Sequence, residues 1–294
     1  MFLSLNYIQN NFTPIVWGGS IVAIILITQT LLIIFFEKIF CPKDMVKYNQ
    51  IIFDTFSVIG TIYAVLYGLL TIFVLNNYQK VESTVTDEVS KIGNLYRNLY
   101  MIRDKKMVQP TIQIIYQYVD NIITNEMPVQ KLGLSKDNAY QFKGWRLLQK
   151  VSQDLVGLQL DEYIKDKILD NLNDLYRARR SRLNSAELEL PSVIWEITVL
   201  SILFMLINVS IIGCTNKYIK YISAYLLCIS VSLMVILVMT IDRPFIGRGA
   251  ITDIYYRKLE ITMIRTLGLE YIFGEHASKD ILPALIKSTQ LENE

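Results

Sequence analysis

Arg177, Arg179, Arg180 and Arg182 form the densest charge cluster in the sequence, a few residues ahead of a long apolar run. Guanidinium groups so placed can contact lipid headgroup phosphates, compensate the negative C-terminal end of a helix, or line an electropositive vestibule that concentrates anions. The first two readings need only a membrane surface, and the third is compatible with both. Glu88 is an ion-pair partner within reach of this cluster if the intervening chain folds back. A second constellation is Gly60, Ala64 and Gly68, spaced by fours, which puts small residues in one stripe of a helix where another helix can come close. Such a stripe packs either within one chain or between copies around an axis. Ile62, Leu66, Leu70 and Phe73 repeat at helical spacing on the same segment. From several copies they would make an apolar neck able to gate by dewetting.

Catalytic chemistry is not written into this chain. It has one histidine, His276, and three cysteines, Cys41, Cys214 and Cys228, at no zinc or redox spacing. No glycine-rich phosphate loop, nucleophile elbow or HExxH motif is present, so the expectation is a protein that is not an enzyme and has no metal and no cofactor. Cys41 and Cys214 could pair if they face an oxidising compartment, although two unrelated thiols are the simpler reading. A formal net charge of +2 over 294 residues excludes nucleic acid as the main partner.

The elements that position these residues are dominated by four apolar runs: Ile15–Phe36, Ile51–Leu75, Val193–Cys214 and Tyr221–Ile241. About 20 helical residues cross a bilayer core of roughly 30 Å, and only a helix satisfies its own backbone groups there. Met1–Pro14 lacks the basic region of a signal peptide, and the first run is too long for one, so it reads as a true span. The lipid bilayer is thus a partner, and the fold class is an all-α membrane protein of four transmembrane helices with a helical domain inserted between spans two and three. The divisions are 1–76, a first transmembrane hairpin; 77–190, a soluble helical domain; 191–245, a second hairpin; and 246–294, a helical tail. Lys and Arg are more numerous on the insert side of the spans, which places the insert and both termini in the cytoplasm. Within the spans, Gln29 and Asn208 read as makers of helix–helix hydrogen bonds, and Asp54 and Glu196 as interfacial groups that reach water.

Between spans two and three the pattern is helical throughout. Tyr78, Val81, Val85, Val89, Ile92, Tyr96 and Leu99 extend the second span to about Arg103. Pro110 opens a second helix, and Asn125–Asp137 reads as a loop. Phe142, Trp145, Leu148, Val151 and Leu155 give a third apolar face. Tyr163 or Ile164, with Ile168, Leu172 and Leu175, give a fourth, ending near Asn184. Ile251, Ile254, Tyr255, Leu259 and Ile261 predict a short amphipathic helix that packs on the insert or lies on the membrane face, and a polar face poor in lysine favours the insert.

These residues carry a resemblance. Ile59-Gly60-Thr61-Ile62-Tyr63-Ala64-Val65-Leu66-Tyr67-Gly68 resembles the second-span motif of the bacterial bestrophin-like family. Asn49, Tyr78, Glu88 and Leu95-Tyr96-Arg97 follow at that family's spacing, as do Leu172-Asn173-Asp174, Arg179-Arg180-Ser181-Arg182-Leu183, Pro191 and Trp195. Asp242-Arg243-Pro244-Phe245 closes the match, which covers roughly Ile15–Gly247. The resemblance implies an oligomeric ion channel of the bacterial inner membrane, remotely similar to the pentameric bestrophin anion channels. It makes small anions the passing species and lines the pore with span two. Asp242, Arg243, Pro244 and Phe245 then form a structural clasp after span four. A non-conducting scaffold or sensor, whose helical domain binds a partner protein, is the alternative.

Overall fold

The structure is a computed structural model and describes residues 14–40, 46–131, 139–185, 190–214, 216–246 and 249–267. Among these residues the chain is helical and has no strands. The helices are α1 (Pro14–Ile39), α2 (Asn49–Tyr100), α3 (Lys105–Asn121), α4 (Met127–Lys131), α5 (Ala139–Gly157), α6 (Glu162–Ser185), α7 (Ser192–Ile211), α8 (Lys217–Ile241) and α9 (Ile254–Leu267). Helices α1, α2, α7 and α8 are long and apolar enough to cross a membrane.

The chain divides into two compact units. The first takes the chain up to Gln79 together with Leu188–Ala250, so it contains α1, the first half of α2, α7 and α8. In lipid no hydrophobic force drives helices together, so close packing and a few polar contacts must hold them. Tyr67 and Val74 of α2 meet Ile202, Met205 and Leu206 of α7 and Cys228, Val231 and Val235 of α8 in one core cluster. Gln29 is fully buried, and its Nε2 donates to Ser210 Oγ at 3.2 Å. Thr30 Oγ1 lies 3.0 Å from Tyr225 OH. At one end of the unit Asn49 grips the peptide at Gly213 from both sides. Its Nδ2 donates to the carbonyl at 2.7 Å, and its Oδ1 accepts from the N–H at 2.9 Å. Lys220, which the sequence places beside a short loop, is buried and ion-paired with Glu37 at 3.1 Å. At the far ends of α7 and α8, Asp242 Oδ1 accepts from Leu190 N at 3.0 Å. Tyr78 OH donates to the Gly249 carbonyl at 2.8 Å.

The second unit takes Lys80–Glu187 and the chain from Ile251 on. Its core is built from the apolar stripes that the periodicity predicts: Val81, Val85, Ile92 and Leu99 of α2, Ile112, Ile115 and Val119 of α3, Leu148, Val151 and Leu155 of α5, and Leu172 and Leu175 of α6. Helix α9 joins this core through the fully buried Tyr256 and Met263.

Three local expectations change. Helix α3 starts at Lys105 rather than at Pro110, because the Asp104 side chain caps it by accepting from Met107 N at 3.3 Å, and Pro110 sits inside the helix. The segment read as a loop from Asn125 is helical as far as Lys131: a π-helical turn over Ile122–Glu126 runs into α4. Pro128 is tolerated there in the first turn of α4. Phe142 and Trp145, assigned to the apolar face of α5, point outward, while Leu147, Leu148, Val151 and Leu155 are buried. Cys41, the proposed partner of Cys214, lies outside the described residues.

The Asn49–Gly213 grip ties the start of α2 to the end of α7. Asn49→Ala is expected to lower the stability of the detergent-solubilised protein by about 1–3 kcal/mol, because it leaves a partly buried N–H and C=O unpaired. Thermal unfolding of the two proteins checks this.

Candidate functional site

The four arginines divide by helical face. In α6 the buried stripe Ile168, Leu172, Leu175 continues at the same three- and four-residue spacing through Arg179 and Arg182. Both arginines are therefore carried into the core of the second unit. Arg177 and Arg180 fall on the opposite face and are exposed, with Arg177 3.5 Å from Asp174. The reading of all four as headgroup or vestibule charges is thus corrected for Arg179 and Arg182.

A buried cation is costly unless it is paired and its remaining donors are bonded. Here both guanidiniums are paired with carboxylates, and each makes a further hydrogen bond to an uncharged acceptor. Arg179 forms a two-pronged pair with Glu126, Nη2 to Oε1 at 2.9 Å and Nη1 to Oε2 at 3.1 Å. Arg182 Nη2 donates to Glu126 Oε2 at 2.7 Å, its Nε donates to Glu88 Oε2, and its Nη1 donates to Gln130 Oε1 at 3.2 Å. Tyr118 OH donates to Glu88 Oε1 at 2.5 Å and accepts from Arg179 Nη1 at 3.0 Å. Tyr256 OH donates to Glu88 Oε2 at 2.7 Å, and Asn121 Nδ2 donates to Glu126 Oε1 at 3.0 Å. Two carboxylates thus balance two guanidiniums with no net charge. The network draws side chains from α2, α3, the π turn, α4, α6 and α9.

The π turn has a local purpose. Its wider winding sets Glu126 toward α6 at the end of α3, a displacement that suits a functional or structural insertion. Gly144 of α5 completes the fit. A Cβ there would overlap Glu126 Oε1 and lie 2.8 Å from Arg179 Nη2, so the ion pair rests directly on the helix backbone.

Electrostatics follow from this packing. Burial alone would push the Glu88 carboxyl up. The adjacent Arg182 and Arg179 charges and the Tyr118 and Tyr256 hydrogen bonds outweigh burial and hold it below its ordinary value. Burial, reinforced by the Glu88 charge, pushes the Tyr118 and Tyr256 phenols well up. Glu260 on α9 goes the other way from Glu88. Burial raises it, with help from Asp120 and Asp253, against the Tyr116 hydrogen bond at 2.7 Å and Arg257.

The second span carries the other site residues. Phe56, Tyr63, Tyr67, Leu70 and Val74 make the face of α2 that packs on the core of the first unit. Ile62, Leu66 and Phe73 lie within about 40° of each other on the helix, beside that face, and are exposed in the single chain. Of the four neck candidates only Leu70 is drawn partly into the core. Ala64 and Gly68 are exposed, and a Cβ built on Gly60 or Gly68 meets nothing within 4 Å, so nothing among the described residues fills the small-residue stripe. Asp242 is bonded as described. Pro244 and Phe245 are buried where the chain turns after α8. Arg243 is also buried, and its Nη1 has no hydrogen-bond partner among the described residues. Asp54 and Glu196 are exposed. Asn208 Oδ1 is buried, again with no partner among the described residues.

Glu126, Tyr118, Tyr256, Gln130 and Gly144 were not legible as site residues. The burial of Arg179 and Arg182 did have a signal in the sequence, because their spacing continues the apolar stripe of α6.

Four membrane-crossing helices with a helical unit between the second and third, and a tail helix returning to that unit, define a class of integral membrane protein. The family model described as the Bestrophin-like domain matches residues 21–254. The chain belongs to the Bestrophin-like family. Among solved structures it is similar to a bacterial bestrophin homologue from Klebsiella pneumoniae, with TM-score 0.62 and 12% identity over 83% of this chain and 96% of that one. It is also similar to a crystal structure described as a membrane protein variant, with TM-score 0.64 and 11% identity over 84% of this chain and 98% of that one. At these identities the likeness shows the fold. No curated protein matches the chain.

Two predictions test the network. Glu88→Gln leaves Arg179 and Arg182 to share the single Glu126 carboxylate, so one buried positive charge is uncompensated, and it is expected to cost about 3–5 kcal/mol of stability. The lowered Glu88 value means that its contribution is complete above the ordinary carboxylate value of 4.5 and is lost only as pH falls through the depressed value below it. Unfolding followed from pH 7 to acid should therefore show an acid-side loss in the parent chain that the Gln variant lacks. Gly144→Ala is expected to destabilise by about 1–3 kcal/mol, because the atoms that it displaces grip each other. Thermal unfolding reads that loss directly.

Proposed function

We propose that this protein is an oligomeric, bestrophin-like ion channel whose pore is lined by α2. The observation that carries the reading is the state of α2 in one chain. Its apolar Ile62, Leu66 and Phe73 are exposed, and its small-residue stripe at Gly60, Ala64 and Gly68 is unfilled by the described residues. A pore helix needs two such surfaces, a stripe on which the adjacent copy packs and a face turned to the axis. In this arrangement Ile62, Leu66 and Phe73, with Leu70 at their flank, form an apolar neck that wets when the channel opens. Asp242 holds the end of α8 against the start of α7, with Pro244 ending the helix.

Family membership supports anions as the conducted species and five as the subunit number. The Arg179 and Arg182 charges are neutralised within the second unit, so any electrostatic selection of anions falls to other basic groups, such as the exposed Arg177 and Arg180. The excess of Lys and Arg on the insert side supports a bacterial inner-membrane location with the second unit and both termini in the cytoplasm.

Leu66→Ala removes bulk and apolar surface from the proposed neck. Proteoliposome chloride flux is expected above background for the parent chain and raised several-fold in the variant. Background flux in both would overturn the channel and favour the scaffold reading.

A further inference from the structure

The outer face of α5 is unusual for a water-facing helix. Phe142 and Trp145 are 60% and 44% exposed, their ring centroids lie 6.0 Å apart, and the Arg146 guanidinium lies 5.3 Å from the Phe142 ring. Lys143, Arg146 and Lys150 are exposed on this helix, and no acidic residue occurs between Ala139 and Gln153. At the start of α6 the sign reverses. Glu162, Asp166 and Asp170, spaced by fours, are all exposed, next to Tyr163 at 75% and Ile164 at 43% exposure. Two lysines share that end: Lys165, whose Nζ donates to the Val156 carbonyl at 2.6 Å, and the exposed Lys167. The four acids of Asp161–Asp170 still outnumber them, leaving a negative patch.

The two patches belong to one helical hairpin, and their outer charges, Lys143 and Arg146 against Glu162 and Asp166, do not serve each other. Gly144 near the start of α5 abuts Arg179 near the end of α6, so the helices run antiparallel. Lys143 and Arg146 then stand roughly 16–27 Å along the hairpin from Glu162 and Asp166 at 1.5 Å per residue. That exceeds the screening length of about 8 Å at physiological salt. Among the described residues none of these charges forms an ion pair. Each patch pairs apolar side chains with a net charge of one sign, which is the composition of an interface with an aromatic anchor and a charged rim.

We propose that the second unit docks onto a second copy of this chain head to tail, the basic-aromatic face of α5 in one copy seating on the acidic start of α6 in the next. Phe142 and Trp145 supply the buried anchor, Tyr163 and Ile164 the surface that receives it, and the opposite charges fix the register. Because the two patches differ, the contact is heterologous, the kind that builds a ring when its rotation closes. The inference rests on the oligomeric reading above and gives that oligomer an interface outside the spans.

The test uses the full chain with Cys41, Cys214 and Cys228 replaced by serine. Two differently tagged versions, Arg146→Cys and Asp166→Cys, are co-expressed, purified in detergent and oxidised. The expected result is a disulfide between the two tagged versions and little between like versions, with Gln117→Cys on the exposed side of α3 as the control partner. In parallel, the triple variant Lys143→Glu, Arg146→Glu, Lys150→Glu is expected to lose the intact oligomer at moderate salt. Adding Glu162→Lys, Asp166→Lys and Asp170→Lys is expected to restore it. A parent chain that is monomeric by native mass would overturn the oligomer itself. A parent oligomer that shows no preferential cross-link between positions 146 and 166 and no loss in the triple variant would overturn only this interface.

Discussion

Two guanidinium groups without access to water dominate the second unit. Arg179 and Arg182 cannot be solvated there, so the fold must bring two carboxylates and further acceptors to them. That requirement accounts for features that otherwise look unrelated. It gives a reason for the π turn that re-aims Glu126, for the glycine at 144 where a methyl group would strike the ion pair, and for the tyrosines that approach Glu88 from α3 and α9. An apolar core could hold the same helices together with comparable stability. A network of this kind accepts only one register, because sliding any helix by a turn would leave a charge unpaired.

The tail helix α9 is recruited by the same chemistry. Tyr256 donates to Glu88, Tyr255 to Glu82 and Tyr116 to Glu260, so phenol–carboxylate bonds hold the first half of the helix. Met263 adds apolar contact, but Met263 alone would leave rotation of the helix free. In the first unit, where lipid supplies no hydrophobic drive, single polar grips act at the helix ends: Asn49 on Gly213, Lys220 on Glu37, Asp242 on Leu190.

The single chain fills some surfaces and leaves others open. Along α2, Tyr63, Tyr67 and Val74 are taken up by its own α7 and α8, while the faces beside them are not. On α5, Leu148 and Val151 are buried, whereas Phe142 and Trp145 are not. Apolar residues of similar character thus divide into those that build the core of the chain and those that it leaves exposed.

Much of this was written in the order of residues. Runs of about 20 apolar side chains can only be helices in lipid, so the four crossings follow from composition alone. The threefold and fourfold spacing of Val81, Val85, Ile92 and Leu99 likewise carries α2 beyond the span. What periodicity could not supply was the identity of partners distant in sequence. Glu126 sits in a segment whose proline and asparagines read as a loop, and Tyr256 lies 168 residues from Glu88. Phe142 and Trp145 fit an apolar stripe by type, yet Gly144 and Leu148 take the buried face because the Glu126–Arg179 pair needs a side-chain-free backbone there. Local order decides which segments are helices. Only three-dimensional packing decides which charges meet, because the cost of an unpaired ion is set by neighbours that the sequence keeps far apart.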